Sequence, residues 1–183
     1  MKGARTALVG LLVLALASCS GSTVVRVEAD LAEAIPQDQA SGELGLLRAS
    51  VWIPEDPAGE LVVLPEAKAL VSGNLRLRIA LENIGTRPAQ IGLTLRLGGE
   101  GDSDLFDGQG DLSLGDATAS LQPGESGSLT LDVAVEEGSQ AAEVIRTGKF
   151  RVAVRMDLSG EKVRYQVAEA RLTLRARPAS LLP

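Results

Sequence analysis

A period of two constrains this chain more than any other feature. In Leu75–Asn83 (LRLRIALEN) every odd residue up to Leu81 is aliphatic, and most even ones are charged. Successive side chains of a β-strand point to opposite faces, so this pattern reads as a strand with one buried face and one wet face. Ile91–Leu97 (IGLTLRL), Leu129–Val135 (LTLDVAV) and Phe150–Leu158 (FRVAVRMDL) repeat it. Weaker strands are expected at Thr23–Ala29, Leu46–Ile53, Leu61–Leu64 and Ala117–Leu121. No segment keeps a 3.6-residue period, and Leu31–Ile35 fits at most one helical turn.

The last strand changes phase. Val163, Tyr165 and Val167 are apolar at odd positions, whereas Leu172, Leu174 and Ala176 are apolar at even ones. One extra residue turns every later side chain to the other face, so a β-bulge is expected near Ala168-Glu169-Ala170, with Pro178 ending the strand. Gln122-Pro123-Gly124-Glu125 carries proline at the first corner and glycine at the next, as a type II turn requires. Seven to nine short strands with such turns predict an all-β fold, an antiparallel sandwich over residues 46–178. Residues 31–45 (LAEAIPQDQASGELG) read as a linker or long loop. That leaves 19–45 as an N-terminal segment whose part at 23–29 either joins the sheet or belongs to a tether, and 179–183 as a tail.

Between residues 75 and 158, an apolar strand ending in Asn83-Ile84-Gly85, a Pro-Gly turn before LTLDV, and Gly148-Lys149-Phe150 opening a third strand resemble the immunoglobulin-like domains of bacterial envelope proteins. The resemblance implies an immunoglobulin-like β-sandwich in which the strand at 149–158 pairs with the terminal strand. It implies no particular function, because sandwiches host many roles.

At the other end, Lys2 and Arg5 precede an apolar run from Ala7 to Ala17. A run of that length suits a secretory leader and is too short to span a bilayer, which takes about 20 residues. It leads directly into Leu16-Ala17-Ser18-Cys19, which resembles the lipobox of bacterial lipoproteins. That resemblance implies cleavage between Ser18 and Cys19 and a diacylglycerol on the Cys19 thiol. It makes residues 1–18 a removed leader and the lipid a membrane anchor. Ser20, rather than Asp, follows the lipidated cysteine, which implies release to the outer membrane in a bacterium that has one. The expected localisation is therefore the cell envelope.

Composition removes several classes of function. Lys2 and Arg5 are two of the 18 basic residues and none of the 24 acids lies in the leader, so the remainder carries 16 bases against 24 acids. A nucleic-acid binder would show a basic footprint instead. The chain has no histidine and Cys19 is its only cysteine. Catalytic triads that use histidine, and zinc sites built on His or Cys, are thereby excluded. Only four aromatic residues occur, Trp52, Phe106, Phe150 and Tyr165. That is little for a sugar-cleaving cleft or for the lining of an apolar-ligand carrier.

Two features remain as candidate sites. Gly98–Asp116 holds six acids among six glycines, oxygen-rich material of the kind Ca²⁺ coordinates. Asp102, Asp104, Asp107 and Asp111 are the candidate ligands of an irregular site. An EF-hand frame fails, because a loop starting at Asp102 would place Asp107 at the glycine position and Ser113 at position twelve. The bland alternative is a solvated loop with Leu105 and Phe106 tucked onto the core. The second feature is arginine on outward strand positions, with Arg151, Arg155, Arg171 and Arg175 as a candidate docking face if their strands pair. Only Asp157 and Glu169 lie near enough in sequence to relieve it. Such a face would suit an anionic envelope polymer, lipid head groups or an envelope protein.

The sequence thus favours a lipid-anchored, non-catalytic binding or structural component of the bacterial envelope, without cofactors beyond the lipid and the candidate Ca²⁺ of the acidic loop. A carrier of an apolar ligand is the alternative, and its signature would be an internal cavity of several hundred Å³. An enzyme, ranked behind both, would need two or more acids converging in a cleft.

Overall fold

The computed structural model describes residues 12–14, 24–45, 49–64 and 67–177. The described residues form an all-β protein, an open sandwich of two antiparallel sheets. Ten strands run from Val25 to Ala176. They are β2 (Val25–Asp30), β3 (Ser41–Leu44), β4 (Ser50–Ile53), β5 (Glu60–Val63), β6 (Leu70–Asn83), β7 (Ala89–Gly99), β8 (Leu112–Leu121), β9 (Ser126–Val135), β10 (Lys149–Ser159) and β11 (Val163–Ala176). A three-residue strand within the apolar N-terminal run, β1 (Leu12–Leu14), lies antiparallel outside β2.

The first sheet is ordered β1-β2-β11-β6-β9, with β3 continuing the β2 edge along β11. The second is ordered β4-β10-β7-β8, with β5 continuing the β4 edge along β10. The β2/β3 side of the first sheet and the β4/β5 side of the second are thus each two short strands laid end to end, whereas β9 and β8 at the opposite edges are single ten-residue strands. The alternating residues behave as their period demands. Leu75, Leu77, Ile79 and Leu81 of β6 are buried against Ile91, Leu93, Leu95 and Leu97 of β7, while Arg76 and Arg78 face outward.

The expected bulge is present. Val167 faces Ile79 and Glu169 faces Arg78, so Ala168 is the extra residue that resets the phase before Leu172 and Leu174. Leu31–Ala34 forms the expected single turn, as a 3-10 helix capped by Asp30, whose Oδ1 accepts from the Ala32 amide.

Three expectations are corrected. Residues 31–45 are not all linker, because Ser41–Leu44 pairs with Val163–Gln166. The sandwich therefore begins at Val25 rather than at residue 46, and the strand expected at 46–53 is described only over Ser50–Ile53. Residues 140–146, unassigned by periodicity, form helix α1 (Gln140–Arg146), whose N-cap Ser139 accepts from the Ala142 amide and whose Ala142 and Ile145 are buried.

The third correction concerns pairing. β10 does not pair with β11. Its two edges are taken by β7 on one side and by β4 and β5 on the other, while β11 lies in the opposite sheet between β6 and the β2/β3 edge. The short link 160–162 therefore crosses between sheets as an arch. So do the links 84–88 and 122–125. Asn83, fully buried, stitches these crossings together. Its side-chain amide donates to the carbonyls of Arg87 and Leu121 and its Oδ1 accepts from the Gly85 amide.

Candidate functional site

Ser18 and Cys19, the cleavage and lipidation residues of the sequence reading, lie outside the described residues, as do Pro178 and the 179–183 tail. The two other candidate sites are reorganised by the pairing of the strands.

Arg151 and Arg155 lie on the outer face of the second sheet, whereas Arg171 and Arg175 lie on the outer face of the first. The single basic face expected from a β10–β11 hairpin therefore does not form. On the first sheet, arginines and acids form a checkerboard. Arg164 meets Glu82 at 2.6 Å and Glu43 at 3.7 Å, Arg76 meets Glu169 at 3.9 Å, and Arg171 meets the same carboxylate at 4.0 Å. Arg171 is relieved by Glu169 of its own strand, as its nearness in sequence suggested, whereas Arg164 draws on Glu82 and Glu43 of the neighbouring strands, which sequence proximity could not reveal.

On the second sheet, the acidic loop between β7 and β8 folds back over the arginines. Leu105 is fully buried, and its amide donates to the Pro57 carbonyl at 2.9 Å. A Cβ on Gly98 would collide with the Leu105 side chain, and one on Gly59 would lie 2.8 Å from it. These two glycines are what let the loop reach the sheet. Arg151 donates from Nε to the Glu100 carbonyl and from Nη1 to the Gly59 carbonyl. Lys149 pairs with Glu100 at 3.0 Å, and Arg96 with the almost completely buried Asp111 at 2.8 Å. The basic strand positions and the acidic loop are thus one feature. Leu105 is tucked in as expected, although against the outside of the second sheet rather than between the sheets.

The loop carboxylates are used locally. Asp102 accepts from the Asp104 amide, Asp104 from the Phe106 amide and Asp107 from the Gln109 amide. Asp111 accepts from the Gly108 amide as well as from Arg96. Among the described residues, no three Asp, Glu, His or Cys side chains are placed to share a metal ion. The structure does not gather Asp102, Asp104, Asp107 and Asp111 around one point.

The loop also delivers Phe106 to Arg155. The guanidinium carbon lies 5.2 Å from the ring centroid, within cation–π range. Arg155 is also bonded to Asp157 at 3.0 Å, and Asp157 accepts from the Ser50 hydroxyl at 2.6 Å. Trp52 of β4 is the direct cross-strand partner of Arg155, and its buried indole Nε1 has no partner among the described residues. Phe150 and Tyr165 are buried in the core, whereas the other two aromatics, both half-buried, flank this one arginine. Aromatic residues were singled out in the sequence only for their scarcity. Their convergence depends on the loop folding back, which no local pattern announces.

The open side of the sandwich holds one apolar cavity. Leu31 and Ile35 of the β2–β3 connection line it on one side, and Ile53, Pro54, Glu60 and Val62 on the other. Its volume is about 50 Å³, well short of the roughly 300–1,000 Å³ of ligand pockets. This cavity is therefore too small to be the signature of an apolar-ligand carrier. Burial pushes the Glu60 carboxyl above its ordinary range, with Arg151 opposing the shift. Among the described residues no helix is long and apolar enough to cross a membrane.

The fold defines the class, an open antiparallel β-sandwich. No protein-family model matches the chain, and no curated protein does. Among solved structures it is similar to the infectious bursal disease virus Gt strain structure, with a TM-score of 0.46 and 11% identity over 89% of this chain and 34% of that one. It is also similar to a xylan-binding domain from Paenibacillus barcinonensis, with a TM-score of 0.33 and 10% identity over 92% and 89% of the two chains. The chain thus spans about a third of the viral chains it matches.

Proposed function

We propose that this chain is a lipid-anchored, non-catalytic component of the bacterial cell envelope that holds a protein partner against the outer face of its second sheet. The anchor half of the reading rests on the lipobox Leu16-Ala17-Ser18-Cys19. Cleavage before Cys19 removes β1 and leaves five residues between the lipidated cysteine and the first sandwich strand. The binding half is carried by one observation, that Trp52 and Phe106 flank Arg155 on an open sheet face. Tryptophan and arginine are enriched among the residues that dominate protein–protein interfaces, and aromatics generally are enriched in interface cores. A protein partner suits the face better than an anionic polymer, because Arg151 and Arg155 are already engaged by the loop and by Asp157.

The test is capture of partners from native membranes with the anchored protein as bait, beside Trp52→Ala, Phe106→Ala and, on the other sheet, Arg171→Glu. A partner retained by wild type and Arg171→Glu but lost from the two aromatic variants supports the reading. Equal retention by all four, or loss only from Arg171→Glu, removes the second sheet from the proposal. Cys19→Ser tests the anchor, with loss of fatty-acid incorporation and of membrane association as the expected result.

A further inference from the structure

The first sheet carries a second basic feature, at the end where the chain enters the sandwich. Arg26 of β2 and Arg175 of β11 are direct cross-strand partners, and Ser72 of β6 faces Arg175 from its other side. Like charges directly opposite one another destabilise a sheet, and the two arginines are treated unequally. Arg26 is offset by Glu28 at 2.6 Å, whereas no carboxylate among the described residues pairs with Arg175. Both guanidiniums line a polar depression of about 380 Å³ with Ser72, Asn74 and Thr173. The Asn74 amide already donates to Asp132. With Glu28 on Arg26 and Asp132 on Asn74, the Arg175 guanidinium and the hydroxyls of Ser72 and Thr173 are left as the donors of the depression. That chemistry fits a phosphate, which planar guanidiniums bind in bidentate fashion.

The position of the depression names the source of the phosphate. Val25 pairs with Ala176, so Arg26 and Arg175 lie at the strand ends nearest the N-terminal entry. Five residues separate Cys19 from Val25, six residue steps that span at most about 20 Å when extended. Val24, at the same end, is 42% exposed, one of two large apolar residues left so open among the described residues. An apolar residue beside a basic pair on a short tether is the composition of a surface resting on lipid.

The geometry points to Arg26 and Arg175 as a binding site for the phosphate of an anionic phospholipid headgroup, which sets the orientation of the anchored sandwich on its membrane. This inference rests on the lipid anchor at Cys19. The test uses the processed protein purified from membranes, its N-terminus and acylation established by intact mass. The protein is labelled at Ser120→Cys, near the arches, and reconstituted into phosphatidylcholine nanodiscs with or without phosphatidylglycerol. Energy transfer to a headgroup dye reports the height of the label.

Wild type is expected to shift when phosphatidylglycerol is present and to lose the shift at high salt. Arg26→Gln/Arg175→Gln is expected to show no shift at all. Its melting temperature is expected to be no lower than that of wild type, since it removes a like-charge pair. Lipid-independent heights in wild type, or a shift that survives in the double variant, overturn the inference. Reversal by inorganic phosphate at matched ionic strength assigns the site to free phosphate and overturns the headgroup. Failure of the anchor reading is separate, since it appears as an intact mass without diacylglycerol. Flotation of that unlipidated protein with vesicles of the same two compositions then tests the arginine pair alone. There the double substitution is expected to cut phosphatidylglycerol binding roughly thirtyfold, at the usual contribution of basic residues near an anionic surface.

Discussion

Single residues decide how the three arches stay closed. Asn83 is the one fully buried polar residue among those described, and all three hydrogen bonds of its side chain go to link backbone or to the strand end beside it. Asn83→Ala leaves two carbonyls and an amide without partners, so a loss of roughly 3 kcal/mol is expected. A fall in melting temperature of about 10 °C would match that loss, while Asn74→Ala on the exposed face should change little. The sequence marked Asn83 only as the end of an alternating strand before glycine. Its role was hidden because its partners, at Arg87, Leu121 and Gly85, are assembled by crossings between sheets.

Two carboxylates should give opposite pH signatures. Glu161 accepts from the Thr86 amide and hydroxyl and from Arg87, and these bonds, the backbone one foremost, lower its pKa to about 2. A depressed native pKa gives stability that is complete above the unfolded value near 4.5 and is lost as the pH falls towards 2. Glu161→Gln should therefore flatten the melting curve in that window, as read by thermal denaturation against pH. Glu60, raised by burial, acts the other way. Its charged form is disfavoured in the fold, so Glu60→Gln should compare best with wild type at neutral pH and lose that advantage in acid.

At the scale of elements, the alternating pattern made the long strands legible, together with the bulge in β11. The bulge has a sharp consequence. Deleting Ala168 keeps Val167 opposite Ile79 and Glu169 opposite Arg78, so the sandwich should still fold with the same pairs, as an amide NMR spectrum would show. Deleting Thr173 instead turns Leu174 out and Arg175 in, and a charge without a partner inside a core costs several kcal/mol. That variant should not fold. What periodicity missed was short. α1 has seven residues and buries only Ala142 and Ile145, too little for a 3.6-residue signal, and its start at Ser139 and stop at Gly148, where φ is +80°, were the readable marks. β3 buries only Leu44.

For the whole molecule, the decisive choice lay between hairpin and arch. Both join two strands by a short link and both bring apolar faces together, so an alternating sequence fits either. The choice falls to which strands already occupy each edge, a long-range matter that separates Arg151 and Arg155 from Arg171 and Arg175. The core runs from Val25 onward, so the lipid proposed at Cys19 would add nothing to it. Cys19→Ser should accordingly release the protein from membranes and leave its melting temperature unchanged.

The same arrangement settles how the molecule would carry a load. A pull arriving from Cys19 enters at Val25 and runs along the axis of β2, which lies antiparallel to β11 over six residue pairs. Hydrogen bonds between strands stand perpendicular to them. A lengthwise tug therefore strains the whole ladder at once instead of opening it rung by rung. A domain held by a partner on one side and by lipid on the other would be loaded in shear, the direction in which a short strand grips hardest.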